Sequence, residues 1–303
     1  METSIDRDEN RYIAKILHEV ADLLERQNAS SFRINAYRTA ADYAARSAPP
    51  LRGVHSDLGL KGLEDLPTIG SSIAQAISEI LETGSLSMLS RLRGELDPEK
   101  LFQTVPTIGP HIAQRLHDEL HLETLEALEA AAIDGRLGAL KGIGPRRVSS
   151  IQHSLARILG RRRPTERRDR DRVPPIELIL KVDREYRSKA KRRLLVSITP
   201  KRFNPTGDIH IPILHTEIDN WRFTALFSNS PNAHRFGRTD DWVVIYFEKD
   251  SQAEGQCTVL TEKTGALEGK RVVRGFEVEC AKIYTAQASV ASSYANVSPG
   301  DPV

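Results

Sequence analysis

Three short turns in the first half of the sequence carry the residue types for phosphate binding: Leu66-Pro-Thr-Ile-Gly70, Val105-Pro-Thr-Ile-Gly109 and Leu140-Lys-Gly-Ile-Gly144. Each is followed at once by a stretch of helical period. A turn that ends in Gly and opens a helix leaves the first N–H groups of that helix unpaired and exposes the positive end of its dipole, so a phosphate oxygen can be seated there without a cation. Gly70, Gly109, Gly142 and Gly144 permit the close approach. Ser71, His111, Arg146 and Arg147, just inside the following helices, add side-chain donors. The turns recur at intervals of 39 and 35 residues, a small internal array with three potential grips on a nucleic-acid backbone.

Other constellations are incomplete. Asp169-Arg-Asp171 has the spacing of a two-metal carboxylate pair, but it lies in an Arg-rich run with no strand to aim it; Asp240-Asp241 are adjacent and would point to opposite faces of a strand. Asp241 with Glu248-Lys249 has the residue types of a metal-dependent nuclease, yet acid and lysine are neighbours and do not alternate on one face. His210, His215, Asp219 and His234 lack metal-ligand spacing. Gly265-Ala-Leu-Glu-Gly-Lys270 is one residue short of a phosphate loop and has Arg271 where Ser or Thr is required, so it reads as a β-turn. Trp221, Trp242, Phe236 and Arg235 combine the rings and the cation of a base-stacking surface, with core packing the expected role of the two Trp. Cys257 and Cys280 lie in separate apolar stretches and read as two buried thiols.

The elements that must position the turns follow from periodicity. Residues 10–27 place Ile13, Ile16, Leu17, Val20, Ala21 and Leu24 at helical spacing, and a second helix runs from Phe32 to Ala45 before Pro49-Pro50 stops it. Helices then flank each Gly turn. Residues 161–172 hold seven Arg, three acids and no apolar residue, the composition of a linker that cannot bury itself. Beyond it the period changes to 2: Leu194–Thr199, Ile209–Leu214, Trp221–Phe227, Trp242–Phe247, Cys257–Leu260 and Arg271–Val273 read as short strands of a sandwich or a barrel.

The expected architecture is multidomain α + β, an all-helical first half and a separate, compact β-rich unit. Its divisions are residues 1–95 (helical domain with the first hairpin), 96–160 (hairpin tandem), 161–175 (linker), 176–285 (β-rich) and 286–303 (a small, polar, flexible tail). The 303-residue chain has net charge +2, but residues 1–160 carry 18 Lys and Arg against 22 Asp and Glu, net −4, whereas residues 161–303 are net +6. The turn-bearing half would therefore hold an anion through oriented amides and a few placed cations, not through bulk charge. With no bilayer-length apolar run and no secretory signal, a cytoplasmic protein without membrane attachment is expected.

Longer stretches of text carry a family resemblance: Ile16-Leu-x-Glu-Val-Ala-Asp-Leu-Leu-Glu25, Phe32-Arg-Ile-Asn-Ala-Tyr-Arg-x-Ala-Ala41, Leu66-Pro-x-Ile-Gly70 with Ile73-Ala74, Glu79-Ile-Leu-x-Thr-Gly84 and Ile108-Gly-Pro110. In order and spacing, residues 1–160 resemble the lyase-like domain and helix-hairpin-helix fingers of family X DNA polymerases. The resemblance implies sequence-independent binding of DNA at gaps, nicks, ends or damaged sites. It also implies a 5′-phosphate pocket at Arg33, Tyr37 and Arg38, and a Na+ or K+ ion on the backbone carbonyls of Leu66, Ile69, Val105 and Ile108, with no other cofactor required.

The same resemblance marks what has been lost. Where the family carries its Schiff-base lysine this chain has Ala76, and only an uncharged amine on a flexible stem can form that imine. Ser72 and Gln75 replace a neighbouring lysine and glutamate. The strand-borne carboxylates that nucleotidyl transfer needs are missing from residues 161–303. A DNA-binding protein without catalysis is thus the leading expectation, its β-rich unit holding DNA or a protein partner. The alternatives are a lyase using another amine such as Lys61, or a nuclease around Asp241 and Glu248. The hairpins depart in one further way: Thr68 and Thr107 stand where the family has the first Gly of the turn, and a positive φ there would cost a β-branched residue about 1–2 kcal/mol.

Overall fold

The computed structural model describes residues 4–159, 173–249 and 254–295. The Arg-rich run 161–172, with Asp169 and Asp171, lies outside the described residues, as do residues 296–303 of the expected tail. The helical half opens with α1 (Ser4–Arg26) and α2 (Ser31–Arg46), which pack along one another, and the Ser30 hydroxyl caps α2 by accepting from the Arg33 N–H. The hairpins follow. The first is α3 (Leu51–Glu64) and α4 (Ser71–Thr83), and α5 (Ser87–Arg93) comes after it. The second is α6 (Pro98–Gln103) and α7 (Pro110–Leu120), and α8 (Leu125–Ile133) leads to the third, α9 (Arg136–Ala139) and α10 (Pro145–Ile158). Helix α3 is broken at Gly59, whose φ of 66° and ψ of −157° are open to glycine alone at low strain.

Two clusters fill this half. One unites the stripe of α1 with α2, α4 and α5; the other, from Leu101 to Leu159, unites the second and third hairpins around Phe102, Leu116, Leu128, Ile151 and Leu155. The seam between them is closed where Ser78 of α4 donates its hydroxyl to the Ile158 carbonyl at 3.0 Å.

All six runs of period 2 hold a strand: β1 (Ser197–Ile198), β2 (Ile211–Ile218), β3 (Trp221–Phe227), β4 (Val243–Lys249), β5 (Gly255–Thr261) and β6 (Arg271–Val273). They form neither sandwich nor barrel. Each pairs antiparallel with the next, giving one meandering sheet in chain order. The expected β-rich unit also holds helices that the strand reading passed over. Helix α11 (Ile176–Lys191) covers one sheet face with Ile179, Val182 and Tyr186, against Phe223, Ala225, Val243, Ile245 and Val259. Residues 231–235 form α12, and α13 (Glu277–Ala295) continues through positions expected to belong to a flexible tail. Cys257 and Cys280 are free, buried thiols in this layer.

The α + β architecture is as expected, but the β-rich unit does not stand apart. Because alternate residues of a strand face opposite ways, β2 to β4 present a second apolar set, Ile211, Ile213, Leu226, Val244 and Tyr246. That set belongs to the same core as α1, α2, α4 and α5. The sheet is thus sandwiched between helices on both faces.

Candidate nucleic-acid interface

The three turns fold alike. In each, the N–H of the central Ile donates back to the residue opening the turn: Ile69 to Leu66 at 3.3 Å, Ile108 to Val105 at 3.1 Å and Ile143 to Leu140 at 3.1 Å. The three Ile side chains are buried as plugs. The residue before each Ile has positive φ, 67° at Thr68, 74° at Thr107 and 86° at Gly142, so the strain foreseen for the two Thr is real and Gly142 relieves it in the third copy.

The second Gly of each turn does a different job. Gly70 and Gly109 are the N-caps of α4 and α7 with extended backbone, φ −79° and −89°, and their carbonyls accept the first helical hydrogen bonds, from Ala74 and Ala113. Gly144 does the same for Val148. A Cβ on Gly70, Gly109 or Gly144 would meet nothing within 4 Å, and no side chain caps α4 or α7. The first turn therefore leaves the N–H groups of Ser71 and Ser72 uncapped at a helix N-terminus, the geometry a phosphate needs, whereas α7 and α10 open with Pro110 and Pro145, which have no N–H, and offer the amides that follow the proline, with the Arg147 N–H already bonded to the Gly144 carbonyl at 3.0 Å.

The side chains around these ends are exposed or half-exposed: Ser71 at the first, His111 at the second, Arg146 and Arg147 at the third. Arg147 folds back and donates to the Gly142 carbonyl at 3.2 Å, whereas Arg146 makes no ion pair among the described residues. Lys141, exposed inside the third turn, is a further cation that the reading by turn and helix overlooked; its own position in the motif was the available signal. Arg115 of α7 donates to the Lys141 carbonyl, so the second hairpin braces the third turn.

The expected 5′-phosphate pocket is not formed. Arg33 is buried beneath the sheet, its Nε 3.1 Å from Glu248 Oε1 and its Nη1 donating to Thr224 at 3.3 Å. Tyr37 is buried and donates its hydroxyl to Met88 Sδ at 3.2 Å. Arg38 points the other way, held by Glu25 at 2.6 Å with Asp22 beyond. Ser72, Gln75 and Ala76, the positions at which the resemblance implied a lost lyase site, line a cleft shared with Glu79, Glu126, Glu248 and Glu254. The ends of β4 and β5 bring two of these glutamates, Glu248 and Glu254, into the cleft. Burial, with Glu254 close by, pushes the Glu79 carboxyl up to about 7 despite two hydrogen bonds from Ser87.

The residues named for the enzymatic alternatives are each engaged with other side chains. Lys61 is exposed on α3, and its hydrogen bond to Asp65 raises it above the usual lysine range, the opposite of what a nucleophilic amine needs. Asp241 is tied to Arg271 at 2.6 Å and to the Thr261 hydroxyl, while Glu248 sits seven residues further along, roughly 20 Å away on an extended strand, between Arg33 and Arg222. Among the described residues no group of three or more His, Cys, Asp or Glu is placed to hold a metal ion. His215 is half-buried, 3.1 Å from Gln27 Oε1 and 3.0 Å from the Thr224 hydroxyl, and His210 hydrogen-bonds Thr199.

With this geometry in place, comparison with known families is direct. Residues 8–86 match the model of a helix-hairpin-helix domain, and residues 99–157 match that of the SAM-like helix-hairpin-helix tandem. The two matches cover the first turn and the second and third turns respectively. They support DNA as the partner of the helical half, bound in the sequence-independent manner typical of such hairpins. No helix among the described residues is long and apolar enough to cross a membrane.

Proposed function

We propose that this chain is a non-catalytic, cytoplasmic DNA-binding protein of the repair type, built on a front end similar to that of the family X polymerases, that grips the backbone of gapped, nicked or otherwise damaged duplex. The observation that carries this reading is the triple repetition of one device: a plugged Ile, a positive-φ residue and an extended Gly whose open side exposes helix N-terminal amides. Three such grips along a backbone contact phosphates without reading bases, so they position the protein and leave specificity to the shape of the DNA. A monovalent cation on the carbonyls of Leu66 and Ile69, or of Val105 and Ile108, would bridge turn and phosphate. The acidic composition of residues 1–160 makes the shape of the DNA more decisive than charge, because little bulk attraction is available.

Affinity for intact, nicked and gapped duplex of equal length, measured by anisotropy over a salt series, tests the reading. Binding that weakens with salt and favours the nicked and gapped forms is expected. Salt-independent absence of binding to all three would overturn it and leave the hairpins as a protein-binding scaffold.

A further inference from the structure

The sheet carries a second set of groups suited to nucleic acid on the surface around α12. Phe236 is 52% exposed with the Arg235 guanidinium 4.6 Å from its ring centroid, and Phe203 is 42% exposed with that of Arg202 at 5.1 Å. Each exposed ring has a second ring beside it. His234 lies 4.5 Å from Phe203, and Trp242 lies 6.4 Å from Phe236 and 5.0 Å edge-on from His121. Of the two tryptophans, Trp221 is core, packed edge-on against Phe247, and Trp242 is half-exposed beside Phe236.

Two features separate this patch from incidental surface apolarity. Phe203 holds a φ of 55°, a left-handed conformation that is an outlier for a bulky aromatic residue. The backbone is held on both sides of it: the Lys201 N–H donates to the Gly94 carbonyl at 2.9 Å, Asn229 donates to the Arg202 carbonyl at 2.9 Å, and Asn204 donates to the Pro200 carbonyl at 2.9 Å. The fold thus keeps the backbone under an exposed aromatic ring in place against local strain. The patch also carries cations. Arg235 and Arg274 are exposed and form no ion pair among the described residues, and Arg274 is one of the charges that, with burial as the main cause, keep His121 down at about 4 and hence neutral.

The patch is continuous with the hairpins. Asn232 of α12 donates to the Asp118 carbonyl in the last turn of α7, and His121 is the C-cap of that helix. The bare amides of the second turn lie at the other end of α7, eleven residues or about 16 Å away. We infer that Phe203, Arg235, Phe236 and Trp242 form a stacking platform for single-stranded DNA, placed to receive the unpaired strand that leaves a duplex held by the second hairpin. Successive bases stack on the exposed rings, and Arg235 and Arg274 meet the phosphates between them, while Arg202 stays paired with Glu99 at 2.6 Å. The placement relative to the duplex rests on the proposed DNA-binding function; the platform itself does not.

Titration of the full-length protein with oligo(dT), followed by tryptophan fluorescence, tests it directly. Trp242 should be quenched on binding. Phe236→Ala should weaken oligo(dT) binding about tenfold, within the range of one lost base stack, and Arg235→Ala and Phe203→Ala should weaken it too. A variant with Val at Gly70 and Gly109 should retain the quench. Absence of quenching by oligo(dT) in the wild type, or full binding by Phe236→Ala, overturns the platform. Absence of duplex binding by the wild type with the quench intact counts against the hairpin reading alone. With both present, a duplex bearing a single-stranded tail should bind more tightly than a blunt one, and Phe236→Ala should abolish only that difference.

Discussion

Arg33 of α2 and Glu248 of β4 form an ion pair, Nε to Oε1 at 3.1 Å, with both side chains only 7% exposed. This one contact joins the second helix of the chain to the fourth strand of the sheet and converts a residue of the expected phosphate pocket into an internal strut. Arg222 shares the same carboxylate at 3.1 Å. Nearby, Arg91 lies 3.7 Å over the Tyr246 ring and pairs with Glu254 at 2.6 Å, so the junction is polar as well as apolar.

Glu248→Ala should therefore destabilise the whole molecule and not the sheet alone. Burial opposes the charge on Glu248, yet Arg33 and Arg222 hold its carboxyl below the usual range. Removing it leaves a buried guanidinium uncompensated, a loss of about 3–5 kcal/mol. Urea unfolding followed by far-ultraviolet dichroism should show one transition at lower denaturant. A normal midpoint would show that the strut is dispensable. The sign with pH follows from the lowered value: the contribution is present above the unfolded carboxylate range and is lost as pH falls through the folded one.

His215 supplies a second, separable dependence on pH. Its Nε2 donates to Gln27 Oε1 at 3.1 Å, and its Nδ1 is 3.0 Å from the Thr224 hydroxyl. Burial, with Arg33 and Arg91 nearby, pushes the imidazole down to about 3 from an ordinary 6.5. The unfolded chain thus takes up a proton the native state refuses, and stability should fall by about 1.4 kcal/mol per pH unit as pH drops below 6.5. His215→Gln should remove that share of the slope between pH 6 and pH 5. An unchanged slope would mean that the imidazole titrates freely.

Glu79 should act in the opposite direction. A carboxyl raised to about 7 keeps its proton in the folded state where the unfolded chain has lost it, so stability should decline as pH rises from 4.5 to 7. Glu79→Gln keeps a carbonyl oxygen to accept from the Ser87 N–H, at 2.9 Å in the parent, and should flatten that decline. Equal slopes in parent and variant would contradict a buried, protonated Glu79.

The turns offer a test of backbone strain. Thr68→Gly and Thr107→Gly place the residue that tolerates φ of 67° and 74° at those positions, and each should stabilise by about 0.5–1 kcal/mol once the extra flexibility of the unfolded chain is subtracted. Gly142→Thr, at φ 86°, should destabilise by about 1–2 kcal/mol. Thermal unfolding of the three variants gives both signs.

DNA binding should respond to groups that leave stability untouched. Gly109→Val and Gly144→Val add side chains into open space with no neighbour inside 4 Å, so the midpoint of unfolding should hold while duplex affinity falls by about tenfold as the phosphate is kept from the amides. Arg146→Ala should lower the slope of log K against log salt by about 1, the signature of one lost phosphate contact. Retained affinity in both Gly variants would place the DNA elsewhere.

The helical half was legible in the sequence because its signals are local. Ile13, Leu17, Val20 and Leu24 repeat at helical period, and the Ile-Gly endings mark where helices start; both depend on neighbours a few residues away. The six strands were legible for the same reason, through alternation and turn residues. Helix α11 was overlooked although Ile176, Ile179, Val182, Asp183 and Tyr186 fall at helical spacing, since its charged positions hide the stripe beside an Arg-rich run. What tertiary structure alone decided is the meaning of the pocket residues. Arg33 and Tyr37 look alike in sequence whether they face a phosphate or a strand. The environment of Arg33 is set by Thr224 and Glu248, about 190 and 215 positions away, and that of Tyr37 by Met88, 51 positions away, through the packing of one sheet face onto α1, α2 and α5. Local chemistry specified three phosphate-binding turns, and burial against distant carboxylates determined that Arg33 and Tyr37 hold the protein together and not a ligand.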